Sequence, residues 1–197
     1  IQGEDDAYGT MEQLERVRSQ FGGRSAPTII NAAYGKLQFW DGRAAHLEEQ
    51  ALGPIQNPIE MGNTLKKMVA TLNAIQGYRK QFRQVFGTKA TAAGAAKAIA
   101  AFERSLVCGN SAFDRYEDGD DAALSESEQQ GLQLFREKAN CLRCHTGFAF
   151  TDERYHNLGV GFDKPKSDLG RYTVTKKEPD KGAFKTPTLR NIAASAP

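Results

Sequence analysis

Sulfur, histidine and tryptophan are scarce among the 197 residues: three cysteines, three methionines, three histidines and one tryptophan. An odd cysteine count excludes a framework in which every thiol is paired within the chain. No apolar run is long enough to span a bilayer, so no transmembrane segment is expected. Strong charge of one sign is also lacking. The formal net charge of +2 implies no strong attraction to nucleic acid or to a membrane. There is no internal repeat, no low-complexity tract and no initiating Met. The chain starts Ile1-Gln2-Gly3, as a processed or truncated chain would, with its leader lost upstream. What remains is ordinary for a globular protein, 40% hydrophobic and 25% charged, and suits one large domain or two small ones.

Two of the three cysteines stand in Cys141-Leu142-Arg143-Cys144-His145. Two thiols three apart, with an imidazole directly after the second, form the pattern that attaches c-type haem. The thiols add across the haem vinyl groups and His145 is placed to bind the iron. Haem c is normally attached outside the cytoplasm, consistent with a lost leader. A zinc half-site is one competing reading. It would need two more ligands, from His46, His156 and the carboxylates. A redox dithiol is another, but its βαβ context is absent. A sixth iron ligand is not convincingly supplied. Met11, Met61 and Met68 lie far upstream, with Met68 on a core stripe, and His156 reads as a loop histidine with an ordinary hydrogen bond. Cys108 reads as a small buried thiol near a helix end.

Helical signals dominate. "MEQLERVRSQF" suggests a short helix, and "AAHLEEQAL" a helix stopped by Gly53-Pro54. Leu65, Met68, Val69, Leu72 and Ile75 share a helical face that Gly77 ends. "YRKQFRQVF" is a further helix ended by Gly87. Ala95, Ile99, Phe102 and Leu106 form the stripe of an Ala-rich helix. "DRYEDGDDAA" reads as an acidic turn. Ser125 and Glu128 form a capping box that opens the helix leading to Cys141. After His145 the chain is loop-rich, with a short strand pair expected near "GRYTV" and a helical period no earlier than "TPTLRNIA". The expected fold is mainly α: a cytochrome-c-like haem domain with long irregular loops.

Several stretches taken together are specific. "RSAPTIINAAYGKLQFWDGRA", "HLEEQALGPIQNPIEMG", "AIAAFERSL" with "FDRYEDGD", "GLQLF" before "CLRCHTG", "DLGRYTVT" and "GAFKTPTLRNIAASAP" resemble the bacterial di-haem cytochrome c peroxidases, including the related enzymes that mature methylamine dehydrogenase. The resemblance covers residues 22 to 197. It implies an N-terminal peroxidatic haem domain and a C-terminal electron-transfer haem domain. Residues 1–110 would be the inter-domain region and remainder of the first, and 111–197 the truncated second. One haem c is expected in this chain and two in the complete enzyme, whose first haem motif and C-terminal end lie outside the sequence.

The resemblance also implies roles. Cys141 and Cys144 anchor the haem, and His145 is its proximal ligand. Trp40 matches the tryptophan between the two haems that carries electrons or holes. Glu60 takes the first proton of hydrogen peroxide, and Gln50 orients the peroxide; both are catalytic only in the complete enzyme. Arg171 and Arg190, with Lys185, would pair with haem propionates or hold the loops. A calcium ion is a further expectation, with Ser25 in place of the family's Asn and with the carbonyls of Ser195 and Pro197; a Ser hydroxyl is the poorer ligand. The implied partners are a small donor protein (a cytochrome c or cupredoxin) and hydrogen peroxide, with no nucleic acid and no membrane span. The implied setting is periplasmic and the assembly a homodimer. Two other functions stay open: a di-haem oxidase that modifies a partner protein, and a mono-haem electron-transfer cytochrome c.

Overall fold

A computed structural model describes residues 23–163 and 167–195. The expected helix "MEQLERVRSQF" lies outside the described residues. Seven α-helices and two short strands occur among those described, so the architecture is mainly α. No described helix is long and apolar enough to cross a membrane. The described residues divide into two compact units, one within 23–27 and 44–103, the other within 28–43, 104–163 and 167–195.

Among the described residues, the named elements of the first unit are all helices. Helix α1, Leu47–Gln56, is capped by His46, whose Nδ1 accepts from Glu49 N–H. It does not stop at Gly53-Pro54 but carries Pro54 inside. Pro54 removes one backbone hydrogen bond and crowds the carbonyl one turn back, but Leu47, Ala51 and Ile55 remain buried on one face, which holds the last turn on. Helix α2, Leu65–Ala74, starts at the Thr64 cap and ends at Ile75. Gly77 therefore lies within the first turn of α3, Gln76–Phe86, rather than ending α2. Helix α3 closes on Gly87, whose φ of 71° suits a residue without Cβ.

Helix α4 is Ala92–Ser105. The core joins Phe82 of α3 to Ala90 and Ala95, with Met68, Leu72 and Phe86 packed against them. The Asn73 side chain stitches α2 to the start of α4, donating to Ala90 O and accepting from Ala90 N–H. The buried face of α4 is its small residues, Gly94, Ala95, Ala96 and Ala100, with Glu103. Ile99 and Phe102 of the expected stripe are exposed. The helix approaches too closely for larger groups: a Cβ on Gly94 would meet the Phe82 ring at 3.1 Å.

The second unit has shorter elements. Helix α5, Ala112–Glu117, opens with a capping box of Ser111 and Asp114. The stretch read as an acidic turn is thus a helix followed by a 3-10 turn at Asp121–Ala123. Helix α6, Glu126–Arg136, opens with the expected box of Ser125 and Glu128. Strand β1, Tyr155–His156, pairs antiparallel with β2, Phe184–Lys185. The strand pair expected near "GRYTV" is instead helix α7, Tyr172–Thr175, because Gly170 already bridges to Ala183 and turns the chain away. Cys108 is exposed, not buried; the chain after α4 leaves the core, where Asn31 brackets the Cys108 backbone with two hydrogen bonds.

Candidate haem site

The motif is folded as a single turn. Asn140, in the left-handed region, redirects the chain after α6, and Cys141–Arg143 forms a 3-10 turn. The N–H groups of Cys144 and His145 both donate to Cys141 O, at 3.2 and 2.9 Å. Both thiols are free and half-buried. His145 Nδ1 lies 2.9 Å from Phe150 O. A carbonyl only accepts, so Nδ1 carries the proton and Nε2 keeps its lone pair, the tautomer a metal requires.

The surroundings suit a flat apolar cofactor. Among the described residues, Leu124 and Ala183 are the hydrophobic side chains that the second unit buries. Its larger ones are half-buried or exposed, Leu142 and Phe148 beside the motif being 38% and 64% exposed. A self-sufficient domain of this size would bury more. A cavity of about 510 Å³ opens between Phe113, Leu132, Phe135, Phe150 and Leu189. Phe150 joins cavity to motif: its ring lines one, and its carbonyl holds the imidazole of the other. Cys141, Cys144 and His145 are not among the lining residues. The residues present fit a covalent haem.

His156 does not stand alone. Its Nε2 is 2.7 Å from Asp152 Oδ2, and Cys144 Sγ, Asp152 and His156 lie within 4.8 Å of one another. Burial acts to raise the Asp152 carboxyl, but donation from Arg154 N–H, His156 and Thr186 prevails and holds it below the ordinary carboxylate range. A zinc centre built on the two thiols would gather both; this cluster takes only Cys144, which haem attachment consumes.

Trp40 is half-buried and belongs to the same unit as the motif. Its carbonyl accepts from Lys185 N–H of β2 at 2.8 Å. Next to it, Asp41 O accepts from Arg171 Nη1 at 2.9 Å, and Leu37 O from Lys185 Nζ at 2.7 Å. Burial pushes the Lys185 ammonium down, partly offset by Glu153. Gly42, at a φ of 67°, lies against the Tyr155 hydroxyl and Arg171. Burial also raises the Tyr155 phenol.

Arg190 is held as firmly. Its Nη1 donates to Asp114 at 2.6 Å and its Nε to Phe148 O at 2.6 Å. That bond, together with donation from Ser111, pulls the Asp114 carboxyl far below its usual range. Arg171 and Arg190 are thus both engaged with protein groups.

Gln50 and Glu60 fall in the other unit. Gln50 is half-buried on α1, and Glu60 is exposed in the turn that follows it. Met61 is exposed and Met68 packs into the core. Ser25 is exposed in the first unit and Ser195 ends a 3-10 turn of the second; Pro197 lies outside the described residues. Sequence reasoning missed Phe150, Asp114, Asp152 and Tyr155. Phe150 acts through a backbone carbonyl, which leaves no trace in residue type. The four-residue spacing of Asp152 and His156 was visible, but it means contact only once the chain is known to turn there.

A turn presenting two free thiols and an oriented imidazole, in a helical unit with an apolar collar, defines a c-type cytochrome domain. Comparison with known proteins narrows the class. The family described as di-haem cytochrome c peroxidase matches residues 3–122. The chain is 40% identical over 90% of its length to cytochrome c551 peroxidase of Nitrosomonas europaea, covering 54% of that protein. It is also 40% identical over 88% of its length to the methylamine utilization protein MauG of Methylophilus methylotrophus, covering 52% of it. Among solved structures, a MauG-like protein associated with microbial copper homeostasis superposes with a TM-score of 0.79 at 32% identity, over 89% of this chain and 57% of that one. The chain belongs to the di-haem cytochrome c peroxidase family, and it spans about half the length of the curated relatives it matches.

Proposed function

We propose that this chain is the electron-accepting part of a periplasmic di-haem cytochrome c peroxidase. Cys141, Cys144 and His145 would hold the haem that takes electrons from a small redox protein, and the complete enzyme would reduce hydrogen peroxide with two electrons and two protons to two waters. The observation that carries this reading is the His145 imidazole, fixed by Phe150 O with Nε2 available. When bound, the haem supplies one-electron storage at a potential tuned by its ligands and burial.

The remaining roles belong to the chain's own residues. Trp40, tied through its carbonyl to β2 of the haem-bearing unit, relays electrons out of that unit. Glu60, exposed on its turn, accepts the first peroxide proton and returns it to the leaving oxygen. Gln50 orients the peroxide. Arg171 and Arg190 hold the loops around the haem and offer positive charge toward its propionates. A calcium ion on Ser25 and the carbonyls of Ser195 and Pro197, and assembly as a homodimer, complete the reading.

A second reading, a di-haem oxidase acting on a partner protein, is favoured by the similarity to proteins named MauG. Steady-state turnover with reduced cytochrome c and hydrogen peroxide, using the protein from its native source with its haems counted, separates the two. Rapid peroxide-dependent oxidation of the cytochrome by a two-haem protein is the expected result. A two-haem protein that consumes peroxide without oxidising the cytochrome would favour the second reading. A protein carrying one haem would sink both.

A further inference from the structure

The near-neutral net charge conceals a segregation. Between residues 61 and 102 there are seven Lys and Arg and not one Asp or Glu, so the remainder of the chain is net acidic. All seven cations are exposed. They lie on α2, α3, α4 and the loop before α4, elements packed together around Phe82. On α3, Arg79 and Arg83 lie one turn apart on one side of the buried Phe82, and Lys80 lies further round on the exposed surface.

Two of these cations sit where the fold itself disfavours them. Lys66 and Lys67 occupy the first turn of α2, at the positive end of the helix dipole. None of α2, α3 or α4 has an acidic residue in its first turn, whereas α1, α5 and α6 all do. Three helix N-termini therefore add to the positive field instead of being neutralised. A departure from helix electrostatics repeated on three packed helices points to an external use for the charge.

Apolar groups accompany the cations. Ile75, Tyr78 and Val85 are 45%, 44% and 70% exposed, and Tyr78 and Val85 project from α3 on the opposite side of Phe82 from Arg79 and Arg83. A basic amphipathic helix with protruding apolar groups and a tyrosine is the signature of an interfacial surface. Here one sign covers the whole layer, which suits a diffuse anionic plane.

We infer that the exposed face of α2–α4 docks on an anionic lipid bilayer surface, holding the protein at a membrane without spanning it. The surface lies wholly within the first unit and needs neither the haem nor the peroxidase reading.

The test is co-sedimentation of the haem-loaded protein with vesicles, read by haem absorbance in the pellet. Vesicles of phosphatidylcholine containing phosphatidylglycerol are compared with phosphatidylcholine alone. The protein is expected to pellet only with the anionic vesicles, and to be released as salt rises from about 50 to about 500 mM, where screening shortens the reach of each charge. The variant K80E/R83E/K89E should partition about a hundredfold more weakly, with its helix content and melting temperature unchanged. Arg79 is left alone because it caps α2 through the Asn73 carbonyl. The control Lys138→Glu, exposed in the other unit, should bind as the parent does. Equal partition to both vesicle types, absence of binding at low salt, or an unchanged triple variant would overturn the inference. Capture by an acidic protein in place of the anionic vesicles would overturn it too.

Discussion

Glycine 42 and the Asp114–Arg190 pair show how single positions hold the haem-bearing unit together. A Cβ on Gly42 would run into the Tyr155 hydroxyl and the Arg171 guanidinium, at a backbone angle that disfavours side chains. Gly42→Ala should cost about 2 kcal/mol or more of stability, read by denaturant unfolding, through left-handed strain plus displaced packing. Arg190 is nearly buried and bonds both Asp114 and Phe148 O. Removing it as Arg190→Leu leaves a partly buried carboxylate and carbonyl without their donor, and should cost about 2 kcal/mol. The Asp114 carboxyl is held below its ordinary value of 3.8, so it binds a proton less readily folded than unfolded. Its contribution is therefore full above about pH 4 and is lost as pH falls from there toward the folded-state value. Melting temperature against pH should decline more shallowly below pH 4 in Asp114→Asn than in the parent; equal slopes would remove the pair from the account. Cys108 adds a chemical prediction. It is the free thiol left once Cys141 and Cys144 are thioethers, and it is exposed. The native haem-loaded protein should take up a single maleimide, and Cys108→Ser none.

At the scale of elements, the sequence was most informative where a local rule acts alone. The Ser125–Glu128 box opens α6 as expected, with donor and acceptor reciprocated, and Gly87 closes α3 in the left-handed region. Legibility failed where tertiary packing overrode local preference. Pro54 reads as a stop, yet the buried face of Leu47, Ala51 and Ile55 carries α1 past it. On α4 the bulkier stripe looked like the core, but close approach to Phe82 selected the glycine and alanine face. The Tyr172–Thr175 segment has strand-forming residues, and its helical turn follows from the Gly170–Ala183 bridge, a contact distant in sequence. In the site, the proposed anchors Cys141 and Cys144 and the proposed ligand His145 stand out in the sequence because covalent attachment demands one spacing. Phe150 and Arg190 do not, since a carbonyl and a loop clamp impose none.

Across the whole molecule, the proposed functions sort by unit. Trp40 travels with the motif in the second unit, although it precedes Gln50 and Glu60 in sequence, and these two lie in the first. The chain thus sends residues 28–43 into the unit of the Cys141–His145 motif and then returns to build α1 and the turn after it, which carry Gln50 and Glu60. Electron acceptance and peroxide chemistry should therefore be separable by substitution. Glu60→Gln keeps the shape of the side chain and removes its base, so peroxide turnover should fall about 10²- to 10⁴-fold, while reduction of the Cys141–Cys144 haem by donor protein, followed by stopped-flow, proceeds at the parent rate. Trp40→Phe should likewise leave that first reduction intact, because the donor meets the haem before the relay is used, but should slow the transfer that follows. Multiple-turnover rates would then fall in both variants and the reduced motif haem would accumulate in both; they differ in the reaction with peroxide itself, which is slowed in Glu60→Gln and not in Trp40→Phe. If Trp40→Phe instead slows the first reduction, Trp40 serves donor docking or the packing of β2, and the relay role is lost.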